Sequence, residues 1–310
     1  MNNNTHPGPL ARTLRTLLLA TALGSLPNHA HAQLYIGQSP PGAVGEYDPI
    51  TGAAIDTSFI NSGLNDPAAL VFFGNHLFVS DYNTGKVGEY DPTTGAAINA
   101  NFITGLNHNA GLAFVGNNLF VAIIGNNAIG EYNATTGAVI QSSFITGLST
   151  PDGLALSGNN LFVTNYGNNT VGEYNTTTGA AINASFITEP TNSNPDNLAF
   201  SGGNVFVANY GNNTVGEYNA ATGAVINASF ITGLNGPYAL AVSGNNLFVT
   251  NYGGNTVGEY NATTGAVINA QFISVGTPVS IAIVTPEPGS AALLAIGAGA
   301  LLGWRRRRNC

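Results

Sequence analysis

Charge is scarce in this 310-residue sequence: Asp, Glu, Lys and Arg make up only 7% of it. There is one Cys, one Met and one Trp. The single Cys, Cys310, excludes an intrachain disulfide and any Cys-based metal cluster. Basic residues are rarer still. Arg12, Arg15 and Arg305 to Arg308 lie near the ends, which leaves Lys86 alone in the interior. Of the 15 acidic residues, only Glu287 lies outside the stretch 33–285. A domain this acidic repels phosphates, so nucleic acid is excluded as a partner. His6, His29 and His31 precede residue 33, leaving His76 and His108, too few for a three-His zinc site. No nucleophile elbow and no Gly-rich phosphate loop follows a strand pattern. Low charge does not mean disorder here, because 44% of the residues are apolar and aromatics recur regularly.

What recurs is a repeat. Gly-Glu-Tyr followed by Asn or Asp begins at Gly45, Gly88, Gly130, Gly172, Gly216 and Gly258, at intervals of 43, 42, 42, 44 and 42 residues. A fixed period of this size marks a repeat architecture. One period holds four short strand patterns, at 153–156, 160–164, 170–174 and 181–187. Pro-Asp, Ser-Gly-Asn, Gly-Asn-Asn and Thr-Thr-Gly turns punctuate them. Leu161, Phe162 and Val163 are apolar on both faces of their strand, which requires cover on both sides. Blades stacked face to face supply it. The sequence therefore predicts an all-β fold, a six-bladed β-propeller of four-stranded antiparallel blades.

The ends interlock in this reading. The Leu-Phe-Val strand recurs from Leu34 to Leu247, and the strand before it recurs from Ala69 to Ile281. The closing blade then joins three N-terminal strands to one C-terminal strand, which removes exposed edges.

The unit Asn197-Leu-Ala-Phe-Ser-Gly-Gly-Asn-Val-Phe-Val-Ala-Asn-Tyr-Gly-Asn-Asn-Thr-Val resembles the NHL repeat, and the resemblance spans residues 33–285. It departs in two places. The family's Asp survives only as Asp81, with Ile123, Asn165, Asn209 and Asn251 elsewhere; its Arg is replaced by Lys86, Ala128, Thr170, Thr214 or Thr256.

Both ends read as sorting signals. Residues 1–32 combine a basic start, the apolar run 17–26 and Ala30-His-Ala32, which predicts signal-peptidase cleavage between Ala32 and Gln33. At the other end, Pro286-Glu287-Pro288, an apolar run of residues 291–304 and Arg305, Arg306, Arg307 and Arg308 closely resemble the PEP-CTERM sorting signal of Gram-negative bacteria. That resemblance implies a transient membrane helix, recognition by an exosortase and delivery to the cell surface or extracellular matrix. It also implies company with exopolysaccharide and biofilm systems.

Three sets of residues are candidates for chemistry. The six Glu of the Gly-Glu-Tyr motif should form a ring with only Lys86 as a basic partner, so they face water, accept amide or hydroxyl bonds, or share a cation such as Ca²⁺, the one cofactor considered. Asp66, His108, Asp152 and Asp196 precede the innermost strands. Asp81, Tyr82, Asn165, Tyr166, Asn209, Tyr210, Asn251 and Tyr252 follow the second strands, at one mouth of the channel. Acidic and amide groups there are similar in placement to gluconolactonase-type enzymes, which hold a divalent metal. Asn133, Asn175 and Asn261 head glycosylation sequons that double as hairpin turns. Two functions follow. One is a non-enzymatic surface or matrix protein offering a neutral, Asn/Thr/Tyr-rich face to polysaccharide or protein. The other is a secreted metal-dependent hydrolase or lyase, for which loops differing around the ring are the expected mark.

Overall fold

A computed structural model of the protein describes residues 32–284, which form six four-stranded antiparallel sheets arranged as a β-propeller. The leader, the Pro-Glu-Pro motif, the apolar run after it and the terminal arginines lie outside the described residues. Blade 1 is the interlocked one: its innermost strand Pro278–Val284 pairs with Gln33–Gln38, followed outward by Ala43–Tyr47 and Ala54–Ile60. Blades 2 to 6 are each continuous in sequence, at 67–103, 109–145, 151–188, 195–231 and 237–274. Each innermost strand touches that of the next blade, and Pro278–Val284 bridges Pro237–Ser243 and Pro67–Phe73 to close the ring. One turn of 3-10 helix, Ile124–Asn126, is the helical exception among the described residues.

Six buried apolar clusters hold the blades together, one at each interface. The second strand explains why. In blade 4, Leu161 and Val163 pack back on Phe120, Ile129 and Ile145 of blade 3. Phe162 points the other way, with Phe186 at 5.1 Å and Phe200 of blade 5 at 4.9 Å between ring centroids. A strand buried on both faces is stable only inside such a stack. In blade 1 the Phe position is Tyr35, fully buried, whose hydroxyl donates to the carbonyl oxygen of Pro92 in blade 2 at 3.0 Å.

The Gly-Glu-Tyr motif is a packing device. Each Tyr folds its ring back across the strand over its own Gly. A Cβ placed on Gly172 would lie 2.6 Å from Tyr174 Cε2, so only Gly fits beneath the ring. The Glu points to the second strand and accepts an amide bond. Asn118, Asn160, Asn204 and Asn246 donate through Nδ2 to Glu131, Glu173, Glu217 and Glu259 at 2.6–2.7 Å. In blade 2 the partner is His76, whose Nδ1 lies 2.5 Å from Glu89 Oε1.

The outer strands bury only their last Phe-Ile pair. They leave an aliphatic belt exposed, including Ile55, Ile98, Ile140, Ile182, Ile226 and Ile268. The hairpin Asn residues Asn133, Asn175 and Asn261 accept backbone N–H bonds from the turn through Oδ1. Their sequons are therefore also Asx turns.

Candidate functional site: the channel mouth

Every blade builds its part of the mouth in the same way. The residue just after the second strand donates its backbone N–H to the carbonyl that precedes the innermost strand. The pairs are Ser39 to Thr277, Tyr82 to Asp66, Ile124 to His108, Tyr166 to Thr150, Tyr210 to Asn194 and Tyr252 to Gly236, at 2.8–3.2 Å. The turn Asn supplies a second clamp. Asn127, Asn169, Asn213 and Asn255 are left-handed, and their Oδ1 atoms accept the N–H of Thr150, Asn194, Gly236 and Thr277 at 2.7–2.8 Å. This is what the Gly-Asn-Asn pattern does: it ties one blade's turn to the next blade's entry loop.

The innermost strand then bulges. Register breaks follow Pro67, Asn109, Pro151, Pro195 and Pro237, and an equivalent break opposes Gln38. A bulge re-aims the side chain it carries. The residues in that position are Ala68, Ala110, Asp152, Asp196, Tyr238 and Val279, four residue types among six blades.

These elements enclose an open cavity of about 350 Å³, lined by Ser39, Asp66, Tyr82, Ile124, Thr150, Asp152, Tyr166, Asp196, Tyr210, Tyr238, Tyr252 and Val279. Seven of these were candidates from sequence. Ser39, Ile124, Thr150, Tyr238 and Val279 were not. Tyr238 sits one register position away from the recognised tyrosines, on an innermost strand, and only the Pro-aligned comparison of blades would have revealed it. The face expected to be neutral is acidic at its centre.

The remaining candidates frame the cavity without lining it. Asp81 is buried, and its carboxylate accepts from the N–H of Asn65 at 2.5 Å and of Thr84 at 2.9 Å. Asn165 accepts from Ser149 N–H at 3.3 Å, and Asn251 from Asn235 N–H at 3.5 Å. Asn209 is fully buried. His108, left-handed and exposed, stacks on Tyr82 with ring centroids 4.6 Å apart. Asp66 and His108 share a register position two residues before that of Asp152 and Asp196, so the four do not form one ring.

Burial dominates the electrostatics. It pushes the Asp152 carboxyl up to about 7, with the nearby charge of Asp66 adding to the effect. Asp196, only 3% exposed, is pushed well above the usual range by burial and then by Asp152. Burial also raises Asp66, against which the Ser39 hydroxyl acts. The Tyr238 hydroxyl is held protonated by the charge of Asp196 and by burial. Tyr210, Tyr238 and Tyr252 form a triangle with centroids 6.0–6.5 Å apart. Among the described residues, no three His, Cys, Asp or Glu side chains converge closely enough to hold a metal ion. The three carboxylates thus provide no preformed metal cradle.

A second acidic site lies behind the mouth. Glu189, in the loop entering blade 5, occupies the position of Leu106 and Val275, as the matching backbone bonds to Asn169, Gly85 and Asn255 show. The Tyr218 hydroxyl donates to Glu189 Oε2 at 2.5 Å, while Oε1 and the amide of Asn209 are buried without hydrogen-bond partners.

Comparison with known proteins bears on the fold and the export route. No curated protein matches the sequence. Among solved structures, a chain of a nidogen/laminin complex superposes with TM-score 0.65 at 17% identity, covering 81% of this chain and 98% of that one. A putative 6-phosphogluconolactonase from Bacteroides uniformis gives TM-score 0.59 at 16% identity, covering 82% and 99%. Virginiamycin B lyase from Staphylococcus aureus gives 0.56 at 18%, covering 75% and 78%. At these identities the shared property is the propeller, and the NHL resemblance is compatible with it. The PEP-CTERM protein-sorting motif matches residues 284–308 and marks the chain for export, exosortase processing and surface sorting in a Gram-negative bacterium. A family model described as outer membrane protein assembly factor BamB matches residues 40–271, most of the sequence, and the chain belongs to that family.

Proposed function

We propose that the exported propeller is a non-enzymatic binding protein of the cell surface or matrix, and that its channel mouth holds a unit of a polysaccharide or a segment of a matrix protein. The observation that carries this reading is the arrangement of five tyrosines around one open cavity on a sorted, surface-directed chain. Tyr rings offer flat apolar faces and a polar edge, which suits stacking on sugars and hydrogen bonding to their hydroxyls. The clamped backbone holds these rings in place, so little ordering accompanies binding. Co-sedimentation with the producing organism's matrix polymers and a glycan array test it. Loss of retention in Tyr166→Ala and Tyr210→Ala supports the reading, and absence of binding to every polymer and matrix protein tested refutes it.

A second reading has an observation of its own. Asp152, a carboxyl that titrates near neutrality inside a cleft, is the kind of group that serves as an acid or base. The bulge residues differ around the ring, as a hydrolase or lyase site requires, and two propellers of similar fold are described as a putative 6-phosphogluconolactonase and a lyase. Lactonase, esterase and lyase assays, with and without divalent cations, decide it. Turnover abolished by Asp152→Asn favours an enzyme, and no turnover of any substrate removes this reading.

A further inference from the structure

The mouth combines two features that ask for the same kind of ligand. One is negative charge with no local answer. Asp152 and Asp196 line the cavity, no Lys, Arg or His is among its lining residues, and Lys86 sits on a third strand opposite Asp81. Asp196 is only 3% exposed, and its backbone carbonyl accepts from the Thr164 hydroxyl at 2.7 Å. A nearly buried carboxylate carries a desolvation cost that an arriving cation offsets. The other feature is aromatic. Tyr210, Tyr238 and Tyr252 present ring faces and edges at 6.0–6.5 Å from one another, on the same side of the cavity as Asp196. Aromatic faces attract a weakly hydrated organic cation and gain most where water is excluded.

The dimensions choose among cations. Among the described residues no three acidic groups converge on one point, which disfavours a small metal ion. A cavity of about 350 Å³ admits a polyatomic group with its carrier. We infer that the channel mouth binds an organic ammonium group, with Asp196 and Asp152 supplying the countercharge and the Tyr210, Tyr238 and Tyr252 rings walling it. This rests on the surface-binding reading above and narrows it: in a polysaccharide the bearer is an amino sugar with a free amine, and in a matrix protein it is a lysine side chain.

The groups facing the ammonium are Asp152 from blade 4, Asp196 from blade 5, Tyr238 and Tyr252 from blade 6, Tyr210 from blade 5 and, across the cavity, Asp66 and Tyr82 from blade 2. The carboxyls have raised pKa values, and the nearby acids with burial raise the Tyr238 phenol further, so the carboxyls set the pH dependence. Affinity for a permanently charged cation rises as pH climbs through the Asp152 value of about 7.

Calorimetric titration of the full chain in mild detergent tests this, with tetramethylammonium chloride as probe. Binding at pH 8 should weaken about tenfold at pH 5.5 and by a similar factor in Asp196→Asn. That variant replaces a nearly buried carboxyl with an amide of the same shape, so an unchanged or raised melting point checks its folding. At pH 7, a tetramer of glucosamine, its N-acetylated counterpart and a tetralysine peptide separate the carriers. No binding of tetramethylammonium at pH 8, or binding indifferent to both pH and Asp196→Asn, overturns the inference. Equal binding of the acetylated and free-amine sugars also overturns it, yet leaves the surface-binding reading standing. Ammonium or tetralysine binding without sugar binding upholds the inference and removes the polysaccharide.

Discussion

Thr164 and Asp196 are joined across the interface of blades 4 and 5: the Thr164 hydroxyl donates to the Asp196 carbonyl at 2.7 Å and accepts the N–H of Gly153 at 2.7 Å. One buried hydroxyl therefore satisfies two backbone groups at the bulges that aim Asp152 and Asp196. Thr164→Val keeps the shape and removes both bonds. It should cost about 1–3 kcal/mol, the penalty of leaving buried backbone groups unpaired, read as a lower midpoint in denaturant.

Glu189 buries a carboxylate where other blades keep an aliphatic residue. Burial raises its pKa, with the hydrogen bond from the Tyr218 hydroxyl acting against the shift. A folded-state pKa above the unfolded value means stability is full below the unfolded value and declines as pH rises through the folded one. Glu189→Gln should remove that decline. Melting at pH 8 should rise by the equivalent of about 1 kcal/mol, with little change at pH 4. A variant less stable than the parent at pH 8 contradicts this account.

The amide–carboxylate pairs behind the Glu ring make a sharper electrostatic test. Asn204→Asp sets two carboxylates at the distance where Asn204 Nδ2 now donates to Glu217 Oε1, 2.6 Å. Like charges this close raise the pKa of the pair. The loss should be about 1–3 kcal/mol at pH 8 and should shrink toward pH 4, where one proton is shared.

Gly172→Ala places a methyl group against the Tyr174 ring. Overpacking of this kind costs about 1–3 kcal/mol. The penalty should fall in a Tyr174→Leu background, and a double-mutant cycle measures the coupling. Independence of the two changes removes the steric explanation of the Gly-Glu-Tyr motif.

Asn118, Asn160, Asn204 and Asn246 already donate to Glu131, Glu173, Glu217 and Glu259, so in four blades the Glu has an amide partner that does not depend on a cation. Excess EDTA should leave the melting temperature within about 1 °C of its starting value. A larger drop implies a bound cation that stabilises the folded state by mass action.

The architecture was legible because it is written six times. The period, the Leu-Phe-Val strands and the interlocked ends follow from residues whose neighbours are alike in every blade. The mouth was only partly legible, for the opposite reason. Tyr82, Tyr166, Tyr210 and Tyr252 stand beside a recurring strand and could be aligned by eye. Asp152 and Asp196 could be picked out as acids ahead of the innermost strands, but Tyr238 shares with them a position defined by a bulge, and a bulge leaves no fixed residue type in the sequence. The near-identity of the turns, which argued for a uniform face, belongs to the frame, where Asn127, Asn169, Asn213 and Asn255 repeat one backbone clamp. Variation gathers in the side chains that line the cavity, among them the one that each bulge turns inward.

The interlocked blade also fixes which way the molecule looks. Gln33 pairs with Val284 at one end of the closing strands, while Ser39 and Val279 at the other end line the cavity. The chain therefore enters and leaves the propeller on the face remote from the mouth. A propeller held through whatever follows Val284 is gripped on the side away from its tyrosine-lined mouth, which then points away from the point of attachment.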